Sequence, residues 1–360
     1  MSHAAALAEW VWHGSGIGPS LLRGALAPAG ALVAAAVARR NHRFDTGQGV
    51  RSVAIPALGV GNLSVGGTGK TPVAAWCART LQEMGARSAI VMRGYGNDEP
   101  RVHALLNPGV PVITDADRVR GLAQAETLGA DCAVLDDAFQ HRQAARVADL
   151  VLIAADSWTG RVQTLPAGPW REPLSSLGRA SAAVITVKAA SAERVAQLQS
   201  AIHAAAPAVP IAIVGLVPGA LRAVPASGVL ADLDGASEPL ESLRGRRIIA
   251  VSAIGDPGAF ERQLAALGAS VTSRRFRDHH AFVPADVARI LSGVEHDELV
   301  VCTLKDAVKL APLWPRAAPP LWYVSQTIEV RLGWDALHNA LTRVLSARNL
   351  PPAASPPTAG

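Results

Sequence analysis

Short apolar runs alternate with longer amphipathic stretches along most of the chain. Runs of this length predict buried strands, and the stretches between them predict helices. Strand followed by helix, repeated, is typical of an α/β fold with a mostly parallel sheet and helices on both faces. In the first half, the predicted strands are residues 53–60, 88–92, 110–114, 132–135, 150–154 and 182–187, and the predicted helices are 71–84 and 118–128.

The same rhythm continues after residue 189 and predicts a second, smaller α/β domain. Its predicted strands are residues 210–214, 248–252, 270–276, 299–303 and 321–325, with helices at 258–267, 284–291 and 334–346. We therefore predict four segments. These are an N-terminal membrane-associating segment (1–45), a first α/β domain (46–188), a second α/β domain closing the cleft (189–346) and a disordered tail rich in Pro and Ala (347–360).

The N-terminal segment contains an uncharged run, residues 24–38, between Arg23 and the basic cluster Arg39, Arg40 and Arg43. A helix needs about 20 apolar residues to span a bilayer, so this run is short. Arginines on its flanks can extend towards lipid headgroups. The pattern favours a membrane-associating or marginally inserting helix, and a packed Ala-rich helix is the alternative. A cleaved signal peptide is not expected, because the N-terminus has no basic region followed by a long apolar region and a cleavage site.

Composition narrows the possible functions without choosing one. Hydrophobic residues make up 49% and charged residues 18%, which is typical of a globular protein and not of a disordered one. The net charge of +5 favours anionic partners such as nucleotides or acidic lipids. Aromatics are only 4% and there is no clustered basic stripe, so nucleic acid is not an expected partner. The three cysteines lie in apolar stretches, as reduced cytosolic thiols do.

Residues 61–71 read GNLSVGGTGKT, between a predicted strand and a predicted helix. Glycines let the backbone fold around an anion, and the helix N-terminus adds a positive dipole. In such a loop the lysine contacts the β- and γ-phosphates and the Thr hydroxyl binds Mg²⁺. Ser64 stands where the general pattern has Gly. The motif predicts that the first α/β domain (46–188) is a P-loop nucleotide-binding domain of the NTPase type. Its predicted nucleotide-binding residues are Gly66, Gly67, Thr68, Gly69, Lys70 and Thr71.

A second acidic pattern, LDDAFQHR at residues 135–142, follows a predicted strand. A carboxylate at a strand end can hold Mg²⁺ directly or through water, so Asp136 or Asp137 is a predicted metal ligand. Because adjacent side chains point to opposite faces, the two aspartates are expected to have different roles. The alternative is a helix N-cap with a solvated neighbour. Gln140 and His141 are expected to line the same cleft.

Two further segments carry candidate acid–base residues. RGYGNDEP at residues 93–100 follows the strand 88–92, at the sheet edge where ligands bind. There Arg93 is a candidate to steady phosphate charge, and Asp98 or Glu99 to accept a proton from an attacking hydroxyl. In RFRDHH, residues 275–280, a histidine beside an aspartate can orient a catalytic carboxylate. For both segments a solvated surface turn is the alternative, and the two histidines make a poor zinc site.

Taken in order, several motifs together resemble the tetraacyldisaccharide 4′-kinase (lipid A 4′-kinase) family over about residues 20 to 345. They are VGNLSVGGTGKTP, RGYG, DEP, DDAFQHR, LPAGPWREP (165–173), RDH (277–279) and LKDAVKL (304–310). A Ser or Thr in place of the first P-loop Gly is close to a signature of that family, so Ser64 fits it. Ala138, where the family usually has Gly, and Leu304, where it usually has Glu, depart from the pattern. So does the single Asn97 between RGYG and DEP.

The resemblance implies ATP-dependent phosphorylation of the 4′-hydroxyl of a disaccharide lipid A precursor, with Mg²⁺. It implies a peripheral or N-terminally anchored enzyme at the cytoplasmic face of the inner membrane, with no obligate protein partner. It assigns the base to Asp98 with His279 as its partner, and the acidic pair to Asp136 and Asp137. The predicted catalytic residues are Asp98, His279, Lys70 and Asp137, and the predicted substrate residues are Arg93, Glu99, Gln140, His141 and Arg171.

The main alternative is a P-loop GTPase or ATPase switch, or a metallochaperone, acting on a protein partner. The P-loop by itself allows this class. The sequence contains no N-K-x-D motif for reading guanine, which argues against it. Strong selectivity for GTP would favour the switch.

Overall fold

The computed structural model describes residues 3–94, 98–225, 227–230 and 236–348, with side chains from residue 7 onwards. Its helices are α1 His3–His13, α2 Ile17–Asp45, α3 Lys70–Glu83, α4 Asp98–Leu106, α5 Arg118–Thr127, α6 Ala192–Ala205, α7 Pro257–Ala266, α8 Pro284–Leu291, α9 Leu304–Leu310 and α10 Trp334–Ala347. Its strands are β1 Ala57–Asn62, β2 Ser88–Met92, β3 Val112–Thr114, β4 Cys132–Asp136, β5 Ala148–Ala154, β6 Ala182–Val187, β7 Ile211–Ala223, β8 Ser237–Glu238, β9 Arg247–Ser252, β10 Ser270–Arg275, β11 Glu298–Thr303 and β12 Leu321–Leu332.

The chain divides into two compact units that are each discontinuous in sequence. Unit 1 takes in the chain up to Arg93, Val110–Val214 and the chain from Val330, and unit 2 takes in Gly94–Gly109 and Gly215–Glu329. The predicted domains, 46–188 and 189–346, are contiguous segments, and they remain a prediction about which parts of the chain fold together.

Unit 1 is built on parallel strands in the order β6-β5-β1-β4-β2-β3. Every residue of β1, β2, β4 and β6 is buried, which requires cover on both faces of the sheet. That cover comes from α3, α5, α6 and α10, each of which packs against strands of this unit. The predicted P-loop type of parallel α/β fold is confirmed.

Unit 2 contains four parallel strands in the order β10-β9-β11-β12. Its core includes Tyr323 together with residues of β9 and β11, and two residues of α4, Val102 and Leu105, are buried in the same cluster. The apolar face of α4 therefore places the short segment Gly94–Gly109 in unit 2, although the residues before and after it in sequence belong to unit 1.

Element boundaries follow the predictions closely in most places. The predicted segments 88–92, 182–187 and 284–291 coincide with β2, β6 and α8. The strands β7 and β12 are much longer than predicted. Helix α4 was not predicted, because its glycine-rich approach resembles a turn. Its first turn nevertheless suits a helix, since Asp98 and Glu99 favour the N-terminal dipole and Pro100 is tolerated there.

The N-terminal apolar run belongs to a helix, α2, that is longer than the run itself. At 29 residues it is long and apolar enough, by length and composition, to cross a membrane. Only 11% of its most apolar window is buried, so this helix is not a core helix of the unit. Arg23 was expected to extend towards lipid, but its guanidinium is buried and donates to the carbonyls of Val11 (2.6 Å) and Gly14 (3.0 Å). The guanidinium thereby supplies hydrogen-bond donors to backbone carbonyls at the C-terminal end of α1.

Within unit 1, helix α2 is attached to the segment 164–172 through polar contacts. Asn41 Nδ2 donates to Oε2 of the fully buried Glu172 at 2.8 Å, and Arg179 donates to the same oxygen at 2.8 Å. Thr164 Oγ1 donates to the Gly30 carbonyl at 2.8 Å. These contacts fix α2 against the segment that also carries Arg171.

Candidate functional site

The loop between β1 and α3 has the backbone shape of a phosphate cradle. β1 ends at Asn62 and α3 begins at Lys70. Gly66 (φ 118°) and Gly69 (φ 82°) adopt the left-handed region that favours glycine, and Gly69 is the N-cap of α3. The first N–H groups of α3 have no intrahelical acceptor, so they are available to an anion. The predicted cofactor residues Gly66, Gly67, Thr68, Gly69, Lys70 and Thr71 therefore lie on one loop and the first turn of one helix.

Side chains from neighbouring strands hold the carbonyl groups of this loop. Buried Asn62 donates to the Ser64 carbonyl (2.6 Å) and to Thr68 Oγ1 (3.0 Å). At the end of β6, Thr186 donates to the Thr68 carbonyl (2.9 Å) and Lys188 to the Gly67 carbonyl (3.0 Å). Two amides of the loop are also used inside the protein, since the Thr68 N–H donates to the Gly66 carbonyl (2.9 Å) and the Val65 N–H to the Pro169 carbonyl (2.8 Å). These bonds fix the shape of the loop where it enters α3.

Asp136 and Asp137 have different surroundings, as predicted from their adjacency. Asp136 ends β4 and is buried, whereas the side chain of Asp137 is 40% exposed. Asp137 adopts φ 54°, which is uncommon for a residue other than glycine. Its Oδ1 lies 3.7 Å from Lys70 Nζ and 3.3 Å from Arg171 Nη1. The P-loop lysine and the acidic pair are thus neighbours.

Close backbone contact brings the acidic segment to the P-loop strand. A Cβ added at Gly61 would lie 2.6 Å from the backbone nitrogen of Phe139, so only glycine fits there. Gln140 Nε2 donates to the Asn62 carbonyl at 2.9 Å, and Arg171 Nη1 donates to Gln140 Oε1 at 3.4 Å. Gln140 and Arg171, both predicted substrate residues, are therefore part of the same cluster as Asp137.

Positive charge gathers around these aspartates. Burial lowers the pKa of His141, and the charges of Arg118 and Arg93 lower that pKa further, so its imidazole is neutral at physiological pH. Arg118 is buried and donates to the Asp115 carbonyl at 2.6 Å, and its charge acts on Asp136 and Asp137. Sequence analysis missed Arg118. The available signal was its position, at the start of a predicted helix next to the edge where ligands were expected.

The donor atoms at this edge suit magnesium. Thr71 supplies a hydroxyl, and Asp136 and Asp137 supply carboxylates, which are the hard oxygen ligands that Mg²⁺ prefers. Among the residues that the structure describes, no group of three or more His, Cys, Asp or Glu side chains forms a cage for a metal ion. Magnesium in nucleotide sites is normally held by one or two carboxylates together with phosphate oxygens, so the residues present fit that ion.

In unit 2, Asp98 and Glu99 begin α4 and lie next to His279 and Lys305. His279 Nδ1 is 3.7 Å from Asp98 Oδ2, and Lys305 Nζ is 3.8 Å from that same oxygen. Lys305 Nζ also lies 3.1 Å from Glu99 Oε1. Burial raises the pKa of Asp98, but His279 and Lys305 together outweigh burial and lower it to about 2. The carboxylate is thus ionised at every physiological pH. Sequence analysis did not assign a role to Lys305.

The backbone of His279 is held in an uncommon conformation. Its φ is 56°, and its N–H donates to the Ala253 carbonyl at 3.2 Å. The Ala253 N–H in turn donates to Oδ2 of fully buried Asp306 at 3.1 Å. Within the described residues, His279 and Asp137 are the two non-glycine residues with positive φ. Such strain persists only where the surroundings impose it, and it gathers at functional sites.

A glycine loop between a strand and a helix, a lysine at the start of that helix and an acidic pair at the end of the adjacent strand define a P-loop nucleotide-binding protein. Comparison with known proteins identifies the particular kind. The model of the tetraacyldisaccharide-1-P 4′-kinase family (LpxK) matches residues 22–108 and 97–346. The chain belongs to this family, and the predicted kinase class is confirmed. The switch or metallochaperone alternative is not favoured.

Curated relatives named tetraacyldisaccharide 4′-kinase match nearly the whole chain. One from Anaeromyxobacter sp. (strain Fw109-5) is 36% identical over 94% of this chain and 95% of its own length. One from Syntrophus aciditrophicus is 34% identical over 82% and 86%. Among solved structures, LpxK of Aquifex aeolicus in complex with ATP has 27% identity and a TM-score of 0.66, and the match covers 90% of this chain and 99% of that one.

Proposed function

We propose that this protein transfers the γ-phosphoryl group of ATP to the 4′-hydroxyl of a tetraacyl disaccharide 1-phosphate. The observation that carries the proposal is the contact of Lys70, at the start of α3, with Asp137, which Arg171 also approaches. The names of the relatives and the ATP bound to the Aquifex protein support the substrate and the donor. In the reaction the 4′-oxygen bonds to Pγ, the bond from Pγ to the β–γ bridging oxygen breaks, and ADP leaves.

The nucleotide half of the reaction is assigned to unit 1. The loop formed by Gly66, Gly67, Thr68 and Gly69 surrounds the phosphates, and Lys70 neutralises charge on the β- and γ-phosphates. Thr71 and an aspartate of the pair would hold Mg²⁺. When bound, Mg²⁺ offsets the charge that develops on the phosphate oxygens. Arg93 and Arg171 add positive charge for the phosphates of donor or acceptor, and Gln140 and neutral His141 supply hydrogen bonds to substrate.

Asp98 is assigned as the acceptor of the hydroxyl proton. With a pKa near 2 it is a weak base towards a free alcohol. In a loose phosphoryl-transfer transition state the hydroxyl becomes acidic only as its bond to phosphorus forms, so an ionised and well-placed carboxylate is sufficient. His279 orients that carboxylate, and Glu99 is a candidate contact for the sugar.

Helix α2 and the lipid nature of the substrate support a membrane location. Helix α2 exposes Ile17, Leu21 and Leu32, at 80%, 69% and 74%. A lipid substrate has to be met at a bilayer surface, and an exposed apolar helix provides the attachment. Because the proposed substrate is a membrane lipid and ATP is available in the cytoplasm, we place the enzyme at the cytoplasmic face of the inner membrane.

The deciding experiment is transfer of ³²P from [γ-³²P]ATP to purified disaccharide 1-phosphate lipid, followed by thin-layer chromatography. We expect labelled product with ATP and Mg²⁺ and much less with GTP. Lys70→Ala should lower turnover by roughly 10³-fold, because it removes charge stabilisation at the phosphates. Full ATP-dependent activity in that variant, or no lipid phosphorylation by the wild type, would refute the proposal. Asp98→Asn should lower kcat far more than it changes the KM for ATP, and equal effects on both would remove its assignment.

A further inference from the structure

Lys305 makes contacts that the proposed reaction does not yet use. Its Nζ lies 3.1 Å from Glu99 Oε1, 3.8 Å from Asp98 Oδ2 and 3.2 Å from His279 Nε2. Its side chain is 22% exposed, so the charge is only partly screened by water. One ammonium group therefore meets both acidic residues of α4 and the far nitrogen of the histidine.

The contact with His279 Nε2 restricts where the imidazole proton can be. An ammonium group has three donors and no acceptor, so at 3.2 Å it can only donate to Nε2. Nε2 must then be unprotonated, and the single ring proton of the neutral histidine is on Nδ1. Nδ1 is the nitrogen that faces Asp98 Oδ2, at 3.7 Å. Resting on the proposed role of Asp98, we infer that Lys305 is a positioning residue that fixes His279 in the Nδ1–H tautomer, directed at the catalytic carboxylate.

The surroundings raise the pKa of His279 overall, and Lys305 acts against that rise. The contact with Asp98 is the largest cause and raises the pKa, burial and the charge of Lys305 lower it, and Asp278 raises it. Lys309, one turn beyond Lys305 on α9, is paired with Asp306 at 3.1 Å and adds to the lowering of the pKa of Asp98. Lys305 is thus the cation that opposes full protonation of His279 while it keeps Asp98 ionised.

Removing this charge has a predictable sign. Without Lys305 the pKa of Asp98 rises, because a cation beside a carboxylate favours the ionised form. The pKa of His279 rises as well, and its two tautomers become similar in free energy. The acid limb of the pH–activity profile then moves to higher pH, because protonated Asp98 cannot accept the hydroxyl proton.

The test compares kinetics and histidine tautomers in four full-length proteins: the wild type, Lys305→Met, Lys305→Arg and, as a control, Arg289→Met, whose cation lies on α8 and pairs with Asp286. For K305M we expect kcat to fall roughly 100-fold, as for a misplaced catalytic group, with the KM for ATP unchanged. Its acid limb should move up by about one pH unit. K305R keeps a donor without an acceptor and should restore the wild-type profile in large part, and R289M should match the wild type.

Long-range ¹H–¹⁵N NMR reads the tautomer directly, with His279→Asn identifying the signal. The Nδ1–H form is expected in the wild type and K305R and is expected to be lost in K305M. Retention of both that tautomer and the wild-type pH profile in K305M overturns the inference. So does a tenfold rise in the KM for ATP with an unmoved profile, which would make Lys305 a phosphate ligand.

Two further variants keep this test independent of folding and of the proposed reaction. If K305M does not fold, Glu99→Gln is used in its place, because it removes the carboxylate that pairs with Lys305. E99Q should shift the acid limb in the same direction as K305M, by a smaller amount. An unmoved limb in E99Q, with K305R also unlike the wild type, counts against the inference. Asp98→Asn separates the two levels: an active D98N refutes the proposed base, whereas an inactive D98N beside a normal K305M refutes only the role of Lys305.

Discussion

Lys70 Nζ lies 3.7 Å from Oδ1 of Asp137, so the P-loop cation and an acidic residue of the adjacent strand form an ion pair. Arg171 approaches the same oxygen at 3.3 Å. One carboxylate is thereby shared between two cations that are also candidates to bind phosphate. The residue that carries it has a left-handed backbone, which directs its side chain independently of the strand.

Asp137→Asn should remove the negative charge of this residue while keeping its left-handed backbone conformation. Asparagine tolerates positive φ, so the fold should persist, whereas loss of the carboxylate should lower kcat by roughly 10²- to 10³-fold and raise the Mg²⁺ concentration needed for half-maximal rate. Asp137→Ala should in addition lower the free energy of unfolding by about 1–2 kcal/mol, because alanine is strained at φ 54°. Magnesium titrations and urea unfolding measure the two effects. A D137N enzyme with wild-type Mg²⁺ dependence would remove this aspartate from the metal site.

His279→Asn should change the pH dependence of the reaction. In the wild type the pKa of Asp98 is about 2, so Asp98 limits activity only well below pH 4. Loss of the imidazole removes a group that lowers this pKa, so the acid limb of kcat/KM should move to higher pH by about one unit. Asparagine also tolerates φ 56°, which limits effects on folding.

The matched control for that experiment is His280→Asn. His280 is the next residue, but its Nε2 lies 2.8 Å from Oδ2 of Asp286, so its partner is not Asp98. The acid limb of H280N should coincide with that of the wild type. Identical shifts in both variants would indicate a general effect on the loop and would contradict a specific action of His279 on Asp98.

Asn41→Ala should weaken the attachment of α2 to the segment 164–172. The amide of Asn41 donates at 2.8 Å to buried Glu172, and truncation to alanine removes this hydrogen bond from a carboxylate that has no access to water. We expect a loss of about 1–3 kcal/mol in the free energy of unfolding, measured with urea. Thr127→Ala, which removes an exposed hydroxyl bonded to its own helix, should change it by less than about 0.5 kcal/mol. Equal stability of the two variants would show that the contact does not hold α2.

Leu21→Ser with Leu32→Ser should reduce binding to lipid vesicles while leaving catalysis on detergent-dispersed substrate unchanged. Burial of each leucine in a bilayer is worth about 1.5–3 kcal/mol, so the double variant should bind at least tenfold more weakly in a sedimentation assay. Leu128→Ser is the control, since Leu128 is 64% exposed on another surface of unit 1. Vesicle binding that is unchanged in the double variant would exclude this face of α2 as the attachment surface.

The sequence alone determined the features that depend on neighbours along the chain. Strand and helix limits such as those of β2, β6 and α8 follow from local hydrophobic periodicity, and the phosphate loop follows from glycines and a lysine at fixed spacing. Family motifs then indicated Asp98 and His279 as partners. The start of α4 was missed because its helix is stabilised by packing of Val102 and Leu105 into unit 2, which no local pattern reveals.

Only the tertiary structure showed which distant groups meet. Glu99 and Lys305 are separated by 206 residues, yet their charged atoms lie 3.1 Å apart. The same holds for buried Arg118 beside the aspartates, and for the 3.2 Å contact between Lys305 Nζ and His279 Nε2. A charge acts through distance and burial in space, and these are set by packing of the whole chain, so sequence spacing carried no information about them.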